Sequence, residues 1–232
     1  MTSQYTEDAA QALAWSDELF GDASPLAFLL APARFASATR RDGSLAVTLG
    51  EDGSVGLTMG PHPVMNPRWT HCVVDNGVAG DEASTFTSRD EWDFFTIRTH
   101  ASAENSRVRV LDDDELVTRI LDEHAPQSQV WPANPEIVHW YATSDERGDV
   151  ASLAVVVRWE SGYHVVSSVT TVRDQRGRGY ARLLMRGVVA ATHAAGIEWL
   201  GLGVRHDNHV AQNVYRDVGF TLRARFTSYR TG

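Results

Sequence analysis

The segment Val169-Thr170-Thr171-Val172-Arg173-Asp174-Gln175-Arg176-Gly177-Arg178-Gly179-Tyr180-Ala181 joins a β-branched run to a helical pattern through a glycine-spaced loop. Such a junction suits an anion. Glycines let the backbone adopt conformations closed to other residues and let a ligand approach closely. The free amides of a helix's first turn point at the anion, and the helix dipole favours negative charge there. Arg176 and Arg178 add charge-assisted donors. Taken alone, the segment reads equally well as an ordinary strand-to-helix turn.

Five arginines (Arg173, Arg176, Arg178, Arg182, Arg186) and one acid, Asp174, lie within 170–190. The remainder of the chain is acidic. Residues 1–100 hold 14 acids and 6 arginines, and residues 101–232 hold 16 acids and 15 arginines, for a net charge of -9 over 232 residues. A small positive island in an acidic protein fits a compact phosphate. It does not fit the broad basic face of a nucleic-acid binder.

All 21 basic residues are arginine. Without lysine there is no Schiff-base chemistry and no lysine-bearing phosphate loop. The single cysteine, Cys72, forms no internal disulfide or cysteine metal cluster and reads as a small buried hydrophobe. Asp112, Asp113 and Asp114 precede an apolar helical period, where they suit a helix start better than a metal site. No metal is expected. The polar, acidic first residues do not form a signal peptide, and no apolar run nears 18 residues. The expectation is a cytoplasmic protein with no membrane partner.

The elements that must position the loop follow from periodicity. In the first hundred residues, 6–19 reads as an acidic amphipathic helix and 25–38 as an apolar one. Leu45–Leu49 and Val55–Met59 form a hairpin around Gly50-Glu51-Asp52-Gly53, and Trp69–Val74 a further strand. Residues 76–90 have loop composition. A boundary is placed at 100–106, giving an N-terminal α/β domain at 1–100 and a second domain at 101–232.

Beyond it, Val108 and Val110 suggest a short strand, followed by a helix through Leu116, Val117, Ile120 and Leu121. The runs 137–143, 151–159 and 163–172, joined by short turns, form an antiparallel meander. A helix from Tyr180 to Ala195 with Gly196 as its stop, a strand 199–204, a helix 208–218 and a strand 220–228 complete a mixed α/β order. There is no short internal repeat and no low-complexity tract.

Arg176-Gly-Arg-Gly179-Tyr-Ala181 resembles the Arg/Gln-x-x-Gly-x-Gly/Ala signature of the GNAT superfamily of acetyl-CoA-dependent N-acyltransferases. A second segment, Asn208-x-x-Ala211-x-x-x-Tyr215-x-x-x-Gly219-Phe220, is similar to that superfamily's Asn-x-x-Ala-x-x-x-Tyr-x-x-x-Gly-Phe stretch at all five named positions. One helix and one strand separate the two motifs, as the family requires. The likeness covers about residues 107–232. Residues 1–100 could be a degenerate GNAT-like half, a scaffold, a wall of the acceptor site or a dimer surface. They hold no glycine-arginine loop and are expected to bind no acetyl-CoA.

The resemblance implies a splayed, mostly antiparallel sheet with acetyl-CoA in the opening between the 163–172 and 199–204 strands. It gives Thr170, Thr171 and Val172 to the pantetheine arm and Arg176, Gly177, Arg178, Gly179, Tyr180 and Ala181 to the pyrophosphate. Arg182 and Arg186 would reach the adenosine 3′-phosphate or line a solvated helix face. Asn208 would bind the cofactor or cap its helix.

Tyr215 matches the family's general acid for the leaving thiolate; its alternative is a packed helix tyrosine. The implied reaction is direct attack by a primary amine, on a small molecule or a protein, on the acetyl thioester. Other family members often carry a glutamate on the strand before the loop, whereas 165–172 here contains no acid. Glu160, His164 and His206 are the candidate bases, and an amine arriving neutral would need none. Trp131, Trp140 and Tyr141 either wall the acceptor pocket or pack the core. A homodimer is open. The rival reading is a non-catalytic acyl-CoA sensor or interaction module on the same fold.

Overall fold

The computed structural model describes residues 3–75, 86–102 and 108–231. The first half contains β1 (Gln4–Thr6), α1 (Ala9–Phe20), α2 (Pro25–Leu29), β2 (Phe35–Arg41), β3 (Ser44–Leu49), β4 (Val55–Met59), β5 (His71–Asp75) and β6 (Ser88–Arg98). The second contains β7 (Arg109–Val110), α3 (Asp114–His124), β8 (Ile137–Ser144), β9 (Val150–Arg158), β10 (His164–Thr171), α4 (Tyr180–Ala194), β11 (Trp199–Arg205), α5 (His209–Val218) and β12 (Thr221–Arg230). Residues 76–85 of the expected loop and 103–106 of the expected boundary lie outside the described residues.

All twelve described strands share one sheet, in the order β1-β2-β3-β4-β5-β12-β6-β11-β10-β9-β8-β7. Exchanging each strand of the first half with the strand six later reverses this order onto itself. The two halves therefore share a topology: four antiparallel strands (β1–β4, β7–β10), then one parallel strand (β4 beside β5, β10 beside β11). Their last strands are exchanged. β6 pairs with β11 along seven residues, and β12 pairs with β5 along five. Strands from both sides of the expected boundary thus lie in one sheet.

Local signals set the helix ends. Asp8 accepts from Ala10 N–H at 2.8 Å and Asp113 from Leu116 N–H at 2.9 Å, each satisfying a first-turn donor. Gly219 closes α5 at φ 109°, a left-handed value that favours glycine. The expected helix over 25–38 is shorter. It ends at Leu29, Pro32 opens a 3-10 turn, and Phe35–Arg41 is strand β2. Proline disfavours a helical residue before it. The Ala-, Ser- and Thr-containing stretch after it is recruited into a ladder with β3. The strand expected from Trp69 begins at His71.

Helices cover both faces of the sheet. Phe94 points to the face packed by α1, α2 and α3, with Phe28, Leu121 and Leu153. Its neighbour Phe95 points to the other face, where Leu184, Met185 and Val188 of α4 and Tyr215 and Val218 of α5 close the core. Period-two alternation along β6 supplies both layers from adjacent residues. Gly201 on β11 permits the close packing of the first layer, because a Cβ there would stand 2.7 Å from Phe94 and 2.8 Å from Phe28.

Candidate active site

The site begins where β10 leaves β11. The two strands run parallel but are paired only at His164–Leu200 and Val165–Gly201. Beyond Val165, β10 is irregular: its register with β9 shifts between Ser167 and Thr170, and Ser168 has φ +50°. A residue in the left-handed region at a register shift marks a bulge, which bends the strand. The two strands therefore separate, and a cleft of about 1210 Å³ lies at the opening. Val165, Val166 and Ser167 line one side, Gly203 to Asp207 the other, and Trp92 and Trp159 add aromatic surface.

At the end of β10, Val172 N–H donates to Ala151 C=O at 3.0 Å, and Val172 C=O accepts from Gln175 N–H at 2.9 Å. Both of Val172's backbone groups thus have partners inside the protein. Hydrogen-bonded and non-bonded pairs alternate along an antiparallel ladder, so Thr171, one residue earlier, turns its backbone groups away from β9 and toward the opening. The Thr171 carbonyl accepts from Arg176 Nε at 3.1 Å. Thr170 C=O accepts from Ser152 Oγ at 2.8 Å on the β9 side.

The loop follows as a 3-10 turn over Arg173–Gln175, then Arg176, then Gly177 at φ 77° and Gly179 at φ 84°. Gly179 is the N-cap of α4 and supplies no side-chain cap. The first intrahelical bond runs from Leu183 N–H to Gly179 C=O, so the amides of Tyr180, Ala181 and Arg182 have no intrahelical partner. A Cβ built on Gly177 or Gly179 meets nothing within 4 Å, so the space before the loop is open.

The arginines divide their work. Arg176, itself exposed, bonds Thr171 C=O and, at 3.3 Å, the carbonyl of His124 at the end of α3. It braces the loop against the sheet. Arg182 pairs with Asp217 on α5, and Arg186 is also partnered. Arg178 and Arg173 are exposed beside the open amides. The open amides and the exposed Arg178 are donors that a compact anion could use, with Arg176 tied to the sheet behind them.

Tyr215 sits on the inner face of α5, 6% exposed, packed between Phe95 and Phe220 with ring centroids 6.4 and 6.1 Å away. Burial pushes its hydroxyl up to about 12, so it remains a neutral donor at ordinary pH. Asn208 caps α5, its side chain accepting from Ala211 N–H at 3.1 Å.

Of the three candidate bases, only His206 lines the cleft. Glu160 is exposed in the β9–β10 turn. His164 stands where β10 and β11 are still paired, and desolvation, with Arg158 beside it, lowers its pKa. Trp140 and Tyr141 are core residues at 3% and 6% exposure, and Trp131 packs against the core with Nε1 donating to Ser128 C=O. The cleft's aromatics are instead Trp92 and Trp159.

One site residue has no sequence signal of its own. Asp93 lies on β6, 1% exposed, with Oδ1 3.0 Å from His206 Nδ1. The alternation Trp92-Asp93-Phe94-Phe95-Thr96-Ile97 marks a strand, and a lone acid inside it is the only hint.

The first half has the same parallel pair but no such opening. β4 and β5 stay paired at four positions, from Val55–His71 to Thr58–Val74. Trp69 lies against Gly56, where a Cβ would stand 2.0 Å from the indole. Trp69, Cys72, Val74 and Tyr229 form a separate small core there. Among the described residues no helix is long and apolar enough to cross a membrane, and no group of three or more His, Cys, Asp or Glu could hold a metal ion.

No curated protein matches this chain. Solved structures share its fold. A GCN5-related N-acetyltransferase from Sphaerobacter thermophilus is 16% identical with TM-score 0.53, covering 98% of this chain and 94% of that one. Another from Kribbella flavida is 14% identical with TM-score 0.53, covering 95% of each. A protein from Novosphingobium aromaticivorans DSM 12444, assigned to the GNAT family, is 22% identical with TM-score 0.55, covering 68% and 71%. The family model of the GNAT acetyltransferases matches residues 89–220, which span β6 through α5 and hold the opening, the loop and Tyr215. The chain belongs to the GNAT acetyltransferase family.

Proposed function

We propose that the protein is an N-acetyltransferase that moves the acetyl group of acetyl-CoA to a primary amine. The observation that carries this reading is the junction of β10 and α4. Two left-handed glycines and three first-turn amides without an intrahelical partner face open space where the chain leaves β10, the strand that parts from β11. A diphosphate meets those amides and Arg178, while Thr171 offers its backbone N–H to an extended amide-bearing arm. The bound acetyl thioester supplies an activated acyl carbon.

The chain's own groups do the remainder. The cleft between Trp92, Trp159 and Val166 receives the amine and excludes water from part of its surface. Tyr215, kept neutral by burial, protonates the departing sulfur. Arg176 holds the loop in place through Thr171 and His124. The first half is a degenerate GNAT-like half whose opening is shut, so each chain holds one acetyl-CoA. Its strand β6 still walls the acceptor cleft through Arg89 to Trp92.

The test is release of free CoA thiol from acetyl-CoA across a panel of amines: phenylethylamine, spermidine and a peptide with a free N-terminus. Amine-dependent release supports the reading and begins to name the acceptor. Binding of acetyl-CoA with no release from any amine would make the protein an acyl-CoA-binding module and overturn it.

A further inference from the structure

Asp93 and His206 come from strands that meet at the cleft, 113 residues apart in sequence. Asp93 is on β6, and its side chain is 2% exposed; His206 directly follows β11, and its side chain is 44% exposed. Their Oδ1 and Nδ1 atoms are 3.0 Å apart. An ionised carboxylate only accepts, so a neutral imidazole in this pair carries its proton on Nδ1 and leaves the Nε2 lone pair free. The His206 backbone is held at both ends. Its N–H donates to Glu91 C=O at 3.0 Å, and its C=O accepts from Gln212 Nε2 at 2.8 Å. Gln212 is itself fixed, its Oε1 accepting from Arg216 Nη2 at 3.0 Å.

This is an imidazole oriented by a buried carboxylate and half open to a cleft, the arrangement that makes histidine a proton acceptor in catalysis. It stands where the strand before the loop supplies no acid. We propose that His206 is the general base for the incoming amine and Asp93 its positioning residue. The assignment rests on the N-acetyltransferase reading. In the step, the amine nitrogen forms its bond to the acetyl carbon as the carbon–sulfur bond breaks. Nε2 of His206 takes the proton the nitrogen gives up, and the thiolate takes one from Tyr215. His206 returns its proton to solvent, and Tyr215 regains its own.

Other charged groups surround the ring. Glu91 and Asp90 come from β6, Glu91 paired with Arg89. Asp207 is paired with Arg205 at 2.8 Å. His209 on α5 has its ring centroid 6.5 Å away, and Arg225 on β12 lies opposite Asp93 in register. Asp93 is the group in direct contact with the ring.

Two measurements decide the proposal. In steady-state assays with the best acceptor among phenylethylamine, spermidine and the peptide, His206→Gln is expected to lower kcat/KM about 100-fold. Calorimetric acetyl-CoA affinity should be unchanged. Asp93→Asn should give a smaller loss. In the protein alone, imidazole 15N shifts at alkaline pH should place the His206 proton on Nδ1, and Asp93→Asn should move population to Nε2. Undiminished kcat/KM in His206→Gln, or an Nε2–H tautomer in the native protein, would overturn the assignment. The tautomer measurement needs no substrate, so it decides the pair even where the native protein transfers no acetyl group and the N-acetyltransferase reading itself has failed.

Discussion

Ser168 Oγ donates to the carbonyl of Val130 at 2.9 Å, tying the bulge of β10 to the segment after α3. Ser168 is one of four described non-glycine residues at positive φ. It sits where β10 parts from β11, so the backbone turn that opens the cleft and the bond that holds it belong to one residue.

That bond gives the first prediction. Ser168→Gly keeps the left-handed backbone and loses a hydrogen bond, so denaturant unfolding should show a loss of about 1 kcal/mol. Ser168→Val puts a β-branched residue at φ +50° and should cost about 1–3 kcal/mol more. It should also weaken acetyl-CoA binding. Equal effects from the two substitutions would contradict a strained, braced bulge.

Tyr215→Phe should lower kcat about 100-fold and leave acetyl-CoA affinity unchanged. The same residue predicts a pH effect on stability. Its hydroxyl is raised from 10.0 to about 12 in the folded protein, so its contribution is complete below pH 10 and is lost as pH rises toward 12. Cys72, raised from 9.0 to about 11 by burial, acts in the same direction between pH 9 and 11. The difference between native protein and Tyr215→Phe, followed by urea unfolding from pH 8 to 11.5, isolates the tyrosine. A difference that does not change with pH would contradict its buried, neutral state.

The arginines of the loop should separate by role. Arg178→Gln should weaken acetyl-CoA binding, more at low salt than at high, with little change in melting temperature. Arg176→Gln removes the bonds to Thr171 and His124 and should lower the melting temperature as well. Calorimetry at two salt concentrations, paired with thermal unfolding, tells the two apart.

The closed opening of the first half is tested at Gly56. Gly56→Ala puts a methyl group against the Trp69 indole and should destabilise the fold by about 1–3 kcal/mol or more. Gly56→Ala with Trp69→Leu should recover part of the loss. Lack of coupling in this double-mutant cycle would show that the indole does not fill the site.

Much of this site is legible in the chain because its parts are local. Gly177, Gly179 and the β-branched run before them declare strand, loop and helix within thirteen residues, and Asn208 and Gly219 bracket α5. What escaped the sequence depends on distant partners. Phe35–Arg41 has no strong strand pattern and becomes a strand by pairing with β3. Ser88–Arg98 begins in four polar residues, yet it lies between β11 and β12 because the two halves exchange their last strands. Asp93 gains its meaning only there, beside a histidine from the other half. The spacing of Arg176 suggests a phosphate ligand, and its reach to Thr171 and His124 is visible only in the fold.

On the proposed function, acetyl-CoA binds the loop from Gly177 to Ala181 in the second half alone. Isothermal titration of the native protein and of Gly179→Val with acetyl-CoA tests it most directly, since a side chain at φ 84° distorts the N-terminus of α4 without meeting any neighbour. One site per native chain and at least a tenfold weaker site in the variant are expected, with both proteins melting as folded species. Two sites per chain, or equal affinity in the folded variant, would contradict it.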